Sequence, residues 1–150
     1  MISLERAACE AIDAIVAATR EAGFVVAVAV VDDCGDLVAA RRMDGCRPRW
    51  MRASIRKAYT AAVMDRDTDA FHDEIVRRSI ALDDYGDPSF TSLPGGIVVS
   101  DANGATVAAL GVTGPTQGRD IELARHGLAA FAEDVPLAAG DEPAEDELND

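Results

Sequence analysis

Apolar residues recur at helical spacing along the first part of the chain. The periodic positions run from Leu4 to Val16, and Ser3 is placed to cap a helix whose end is marked by Gly23. This pattern predicts a first helix over residues 4–22.

Two β-hairpins are predicted by apolar runs that flank turn-forming residues. Residues 24–31 are eight consecutive apolar residues, which is typical of a central strand covered on both faces. Asp32 to Gly35 supply turn chemistry, and residues 36–43 return as a second strand. Later in the chain, Asn103-Gly104 separates apolar runs at 97–100 and 105–112, a strong hairpin signal.

The remaining segments predict three more helices. Residues 50–64 are helix-compatible and rich in alanine, Thr68 is a candidate cap for a third helix whose apolar stripe runs to Leu82, and residues 83–96 form a loop. After Pro115 a last helix carries an apolar stripe made of Ile121, Ala124, Leu128 and Phe131. Antiparallel hairpins with helices on both faces indicate an α+β domain.

Length and charge narrow the classes of function. A chain of 150 residues suits one domain, predicted over residues 1–134, and residues 135–150 carry six acids and no base, typical of a disordered acidic tail. The net charge of −13 argues against nucleic-acid and anionic membrane partners. Charges close to the first residue and the lack of a long apolar run predict a cytoplasmic protein.

Few residues suit covalent catalysis or metal binding. The three cysteines, Cys9, Cys34 and Cys46, have no zinc-type spacing and are predicted to be free thiols. His72 with nearby acids could form a metal site or a solvated acidic face, and His126 is expected at the surface. No metal site and no nucleophilic triad are predicted.

The bases gather in residues 41–57, which include Lys57, the single lysine of the chain. Such a patch suits an anionic ligand, or it forms ion pairs within the protein. Lys57 and Tyr59 are two residues apart on a predicted helix, so only one of them is expected to face a given pocket.

Glycines border the second predicted hairpin. Gly95 and Gly96 precede its first strand, and Gly111 and Gly114 lie at the end of its second strand. They serve turn geometry, or they let backbone amides approach a ligand.

Taken in order, these segments resemble the GlcG/HbpS family, which is related to the C-terminal domain of some corrinoid adenosyltransferases. The resemblance spans about residues 3–132 and depends on the joint order of short pieces rather than on one motif. The pieces are the first helix, Val28-Ala29-Val30-Val31-Asp32, Arg42-Met43-Asp44-Gly45, Lys57-Ala58-Tyr59-Thr60-Ala61, Leu93-Pro94-Gly95-Gly96, Gly111-Val112-Thr113-Gly114 and Ala124-x-x-Gly127-Leu128.

The resemblance implies a profilin-like α/β/α sandwich with about five antiparallel strands. It also implies homo-oligomers and a haem or other small ligand bound near subunit contacts. Carried onto this chain, the implied ligand-binding residues are Arg42, Met43, Asp44, Lys57, Tyr59, Gly95, Gly96 and Gly114.

One departure from the family pattern concerns a haem ligand. Many relatives read Asp-x-Gly-Gly-His or Asp-x-Gly-Gly-Asn where this chain reads Asp33-Cys34-Gly35-Asp36, so a histidine suited to axial ligation is missing from the segment that holds Asp36. Cys34, a methionine, Tyr59 or a different histidine is then the alternative iron ligand.

The leading hypothesis is an oligomeric protein that binds a small ligand, with haem as the implied one. Because only 5% of residues are aromatic, a smaller anionic ligand is a rival. A second hypothesis is a cofactor-independent lyase or isomerase for a small carboxylated metabolite, with Lys57 or Asp44 as general acid/base and Arg42 as the carboxylate clamp. A third is a non-catalytic accessory oligomer whose glycines are purely structural.

Overall fold

Four helices and four strands form the part of the chain that the computed structural model describes, residues 3–132. The predicted acidic tail at 135–150 lies outside these residues. The elements are α1 (Leu4–Ala22), β1 (Ala27–Asp32), β2 (Leu37–Arg42), α2 (Pro48–Met64), α3 (Thr68–Arg77), a 3₁₀ turn (Leu82–Tyr85), β3 (Gly96–Ser100), β4 (Thr106–Thr113) and α4 (Gln117–Ala132). The predicted α+β class is confirmed.

The strands make one antiparallel sheet in the order β2-β1-β4-β3. Strand β1 is central, and its first five residues are buried, as the unbroken apolar run predicted. Ala27 pairs with Arg42 on one side and with Thr113 on the other, so the start of β1 meets the ends of β2 and β4. Both predicted hairpins are present.

Helices cover both faces of the sheet. Helices α1 and α4 pack on one face with a large apolar cluster that includes Val28, Val30 and Leu110. Helix α2 packs on the other face through alanines, which bring it close to Val31 and Ala109. Because small side chains line that contact, the α2 and β4 backbones nearly touch at Gly111, where an added Cβ would lie 2.8 Å from the Ala58 nitrogen.

Helix α1 has the predicted bounds and caps. Ser3 accepts a hydrogen bond from the Arg6 amide, and Gly23 ends the helix in the left-handed conformation with φ 83°. Helix α2 begins two residues earlier than predicted because Pro48 suits a first helical turn.

The predicted third helix is too long. It ends at Arg77, and Ser79 takes a left-handed φ of 53°, so the apolar stripe does not continue to Leu82. Its N-cap is Asp67 rather than Thr68, whose hydroxyl instead accepts a hydrogen bond from the Gly96 amide at 2.9 Å.

The sheet has four strands in the described residues rather than the five implied by the family resemblance. Residues 83–95 supply no further strand; they contain a 3₁₀ turn and a loop that packs Phe90 and Tyr85 against Phe71. Among residues 3–132 no helix is long and apolar enough to cross a membrane.

Candidate functional site

Lys57 lies inside the protein, on the face of α2 that meets β4. Its Nζ donates to the Val112 carbonyl at 2.8 Å and to Asp120 Oδ2 at 3.1 Å. The two charged side chains are 2% and 3% exposed. The pair therefore joins α2, β4 and the first turns of α4 through one buried contact.

Burial shifts both members of this pair toward their neutral forms. Loss of water lowers the pKa of Lys57 and raises the pKa of Asp120, and the opposite charge of the partner offsets part of each shift. Asp120 Oδ1 has no hydrogen bond of good geometry among the described residues, although the Gly114 amide favours the charged form of the carboxyl and lowers its pKa in part. A buried amine beside a buried carboxyl is a chemical arrangement that can exchange a proton.

Three of the predicted glycines lie against this pair. Gly95 has φ 118°, and a Cβ there would lie 3.0 Å from Lys57 Nζ. A Cβ on Gly114 would lie 3.1 Å from Asp120 Oδ1, and one on Gly96 would lie 3.0 Å from the Lys57 carbonyl carbon. Gly95 and Gly114 thus leave room for the ion pair, and Gly96 leaves room for the backbone of α2.

A second buried polar contact lies one helical turn before Lys57. The hydroxyl of Ser54 is 2.8 Å from the Ala27 carbonyl and 2.9 Å from the Thr113 hydroxyl. Since Ala27 and Thr113 are paired across the sheet, Ser54 ties α2 to the end of both central strands.

The structure does not bring all the predicted site residues together. Arg42 is the exposed last residue of β2 and Asp44 is exposed two residues after it, at the same end of the sheet as Gly114. Met43 is buried beside them, with its sulfur 3.4 Å from the Val26 amide nitrogen. In the described part of the chain Lys57 bonds Val112 and Asp120 rather than any of these three, so an acid/base role for Asp44 and a clamp role for Arg42 would need a ligand that spans the distance.

Tyr59 faces a different part of the molecule from Lys57, as the helical spacing predicted. Its hydroxyl donates to Asp87 Oδ2 at 2.6 Å, and its ring packs near Phe90 and Gly35. This bond raises the pKa of Tyr59 and lowers the pKa of Asp87.

The basic segment 41–57 is partly neutralised within the chain. Arg41 pairs with Asp13 at 2.8 Å, and Arg56 donates to the Pro88 and Phe90 carbonyls. Lys57 is paired as described above. Both interpretations of this segment therefore hold in part. Some of its bases form ion pairs or hydrogen bonds within the protein, and others remain exposed to a possible anionic ligand: Arg42, Arg47, Arg49 and Arg52.

The thiols are free in the structure, and Cys9 and Cys34 are exposed. The neighbouring carboxylates of Asp33 and Asp32 raise the pKa of Cys34, and burial raises the pKa of Cys46. Both thiols are therefore less prone to ionise than an isolated cysteine.

Asp120 is the site residue that the sequence analysis missed. The predicted stripe of the last helix ran through Ile121 and Leu128, but those two are only partly buried, whereas Leu123, Ala124, Gly127 and Phe131 are buried. Asp120 lies four residues before Ala124 on that buried stripe. The sequence signal that could have identified it is an acidic residue, Asp120, at a position of the helix where an apolar residue is expected.

A groove lies on the outer side of the helix layer formed by α1 and α4. It is open to solvent, has a volume of about 470 Å³ and is lined by Glu10, Ala14, His126, Ala129 and Ala130. His126 is exposed at its edge, as predicted, but its position beside a cavity was not foreseen.

The comparisons with known proteins agree with this fold and with the resemblance seen in the sequence. GlcG of Escherichia coli strain K12 is 36% identical over 104 residues, which are 67% of this chain and 75% of GlcG. A double mutant of Streptomyces reticuli HbpS is 33% identical, with 86% of each chain covered and a TM-score of 0.77. A PduOC:heme complex has the same fold at 21% identity, with 87% and 95% of the chains covered and a TM-score of 0.77.

A family model described as "Haem degrading protein HbpS-like" matches residues 3–129. The resemblance to the GlcG/HbpS family is confirmed. With nearly the whole described chain matched and the helix-covered antiparallel sheet in place, this chain belongs to the HbpS-like family.

Proposed function

We propose that this protein binds a small ligand and that the ligand is haem. The observation that carries the proposal is the match of residues 3–129 to a family described by haem degradation. The similarity to HbpS over 86% of both chains supports it. The net charge of the chain, −13, disfavours a nucleic-acid partner, which is consistent with a small-molecule ligand.

The α1–α4 groove is more accessible to a ligand than the Lys57 site. Its volume of about 470 Å³ lies in the range of small-ligand sites, about 300–1,000 Å³, but its lining of one carboxylate, one imidazole and three alanines lacks the broad apolar walls that a haem ring needs. Lys57 and Asp120, in contrast, are closed off from solvent and already bonded to each other.

If haem is bound, its iron supplies the redox chemistry, and the protein supplies position and surroundings. Because the α1–α4 groove does not offer walls for the ring, the described residues of one chain assign no side chain to the iron, and a contact between subunits, as the family resemblance implies, is the proposed place.

A titration of the purified full chain with haemin tests this function. We expect a saturable shift of the Soret band that ends at one haemin per chain. A linear, unsaturable change would remove haem as the ligand. Competition of the same titration by small carboxylates would instead favour the smaller anionic ligand.

Lys57 supports a second candidate function, a cofactor-independent lyase or isomerase. Its lowered pKa and the adjacent Asp120 carboxyl suit general acid–base catalysis at neutral pH. Because both groups are buried, a substrate would have to open the contact between β4 and α4. Turnover of small carboxylated metabolites that survives Lys57→Ala would contradict this role.

We further propose that the protein works as a homo-oligomer. Leu37 and Leu93 are 54% and 46% exposed, and Val76 is 63% exposed, and a contact between subunits would cover side chains of this kind. Light scattering of the purified chain gives the mass directly. An oligomer that binds neither haemin nor a metabolite would favour the accessory, non-catalytic role.

A further inference from the structure

The two edge strands of the sheet present their outward backbone groups to different surroundings. At the β3 edge, the Gly96 amide donates to the Thr68 hydroxyl and the Val98 amide donates to Asp67 Oδ1, both at 2.9 Å. The residues that begin α3 therefore bond the amides that would otherwise pair with a further strand. This edge of the sheet is closed.

The β2 edge has no such cover among the described residues. Met43 donates its amide hydrogen to the Val26 carbonyl, as one of the residues that bond β1. Because such residues alternate along an antiparallel strand, Ala40 and Arg42 turn their backbone amides and carbonyls away from β1. The register shift between β1 and β2 lies before residues 39–42, which keep this alternation. No described side chain bonds the outward groups, so they form a template for another strand.

The side chains along this edge leave room for a second strand. Arg41 pairs with Asp13 of α1 at 2.8 Å, so its side chain lies on the α1 face of the sheet and has a counter-charge of its own. Ala40, the preceding residue, therefore points to the α2 face, where its methyl group is exposed. Leu37 begins the same strand and is exposed as well. The edge thus combines unpaired backbone groups with small and apolar side chains.

From this contrast we infer that β2 pairs with β2 of a second copy of this chain, antiparallel across a two-fold axis at Arg41. Under that axis the edge is its own complement, because Ala40 of each copy faces the partner's Arg42 and exchanges amide-to-carbonyl hydrogen bonds with it. Two Arg41–Asp13 pairs meet at the axis, so two cations and two anions lie together. A copy of this chain supplies both the exposed strand and the matching charges.

The inference rests on the proposed homo-oligomer and adds the surface through which two chains join. The two sheets would become one continuous sheet of eight strands, because each chain contributes the four described strands. The contact also holds Arg42 from both copies. Arg42 is one of the ligand-binding residues implied by the family resemblance, so a ligand near this contact would meet both chains.

Light scattering of three full-length proteins tests the pairing: wild type, Ala40→Pro and Ala40→Ser. Proline removes the outward amide hydrogen and blocks a neighbouring strand, but it costs no bond to β1, because that amide points away from β1. We expect an even number of chains in the wild-type protein and at most about half that mass for Ala40→Pro. Ala40→Ser keeps the amide and should keep the wild-type mass. Circular dichroism checks that each variant is folded.

A disulfide test reports the register and does not depend on the proline variant. Opposite residues of a non-hydrogen-bonded antiparallel pair have Cα atoms about 4.5 Å apart, within the range that a disulfide spans. In a background with Cys9→Ser and Cys34→Ser, Arg41→Cys should therefore link two chains under mild oxidation. Arg42→Cys is the matched control, because the two copies of residue 42 are diagonal neighbours about 7–8 Å apart and should stay unlinked.

The possible results separate this inference from the homo-oligomer on which it rests. A monomeric wild-type protein would overturn both. An oligomeric wild type whose mass is unchanged in a folded Ala40→Pro would leave the homo-oligomer standing and overturn the β2 pairing. If Ala40→Pro does not fold, the disulfide test decides: a linked Arg41→Cys dimer supports the pairing, and linkage of Arg42→Cys alone overturns it, as does linkage of neither.

Discussion

The two faces of the sheet are covered in chemically different ways. Helices α1 and α4 bury mainly apolar side chains, from Ile12 and Ile15 to Phe131, with Thr19 and Asp120 as the buried polar residues. On the α2 face the helix also buries Ser54, Lys57 and Thr60, each bonded to a partner. The apolar face therefore supplies most of the hydrophobic stabilisation, whereas the α2 face fixes the relative positions of backbone segments through directed bonds.

This contrast also separates the candidate sites. The polar groups under α2 are satisfied by the protein itself, so they hold the sheet end in place. The groove on the outer side of α1 and α4 leaves its imidazole exposed to a ligand. Ligand binding is expected where a donor is free to react, and stability is expected to depend on the donors that are enclosed.

The close approach on the α2 face gives the largest expected effect. A Cβ on Gly111 would collide with the backbone carbonyl of Ser54 and lie 2.8 Å from the Ala58 nitrogen, so Gly111→Ala should cost at least about 4 kcal/mol or prevent folding. Gly118 is the matched control, because a Cβ there meets nothing within 4 Å. Denaturant unfolding measures both, and a Gly111→Ala protein as stable as Gly118→Ala would contradict the helix-to-strand contact.

The buried ion pair gives the next effect. Lys57→Met leaves the Asp120 carboxyl buried without its partner, and the free energy of unfolding should fall by about 3 kcal/mol. The double variant Lys57→Met with Asp120→Leu should recover much of this loss, since no charge is then buried alone. Arg52→Met, an exposed cation on the same helix, should change stability by less than about 0.5 kcal/mol.

The same variants sharpen the distinction between structural and catalytic roles. If Lys57→Met folds with wild-type stability, the ion pair does not stabilise the end of the sheet. That result would favour an acid–base role for Lys57. The loss of unfolding free energy in the double variant can also be compared with the summed losses of the two single variants. A larger loss in the double variant would show that each charge stabilises the fold through contacts other than the ion pair.

The Ser54 contact gives a smaller effect. Ser54→Ala removes the hydroxyl that bonds Ala27 and Thr113 and leaves two buried oxygens with one partner fewer. The free energy of unfolding should fall by about 1–2 kcal/mol. Thermal or denaturant unfolding measures it, and an unchanged midpoint would mean that water or a rearranged Thr113 replaces the bond.

The smallest effect is a pH dependence on the outer side of α2. The Tyr59 bond lowers the pKa of Asp87, so the folded state binds fewer protons there, and this share of stability is lost as the pH falls below the ordinary aspartate value of 3.8. The pKa of Tyr59 is raised, so its share is lost as the pH rises above the ordinary value of 10.0. Tyr59→Phe should flatten both ends of the stability profile; an unchanged profile would contradict the bond.

Local patterns predicted the elements that local forces determine. Helix α1 was predicted with the right bounds because its caps and stripe are encoded within 21 residues, and both hairpins followed from turn residues. Helix α3 was predicted too long because Ser79 adopts a left-handed backbone conformation, which a serine in a sequence does not predict.

The candidate site depends on contacts between distant residues, which a single sequence does not contain. The family resemblance placed Lys57 beside Gly95 and Gly114, and the structure brings these three together. It did not supply Asp120, 63 residues from Lys57, because the predicted stripe began at Ile121 rather than at Asp120, although Ala124 and Phe131 of that stripe are buried as predicted. The groove beside His126 is formed by α1 and α4, the first and last helices, so no local motif could show it.

The most direct measurement is the position of the iron in crystals of the full chain grown with haemin, located by anomalous scattering at the iron absorption edge. The account predicts one ordered iron per chain within ligation distance of a protein side chain. Crystals of a chain saturated with haemin that hold no ordered iron would contradict it.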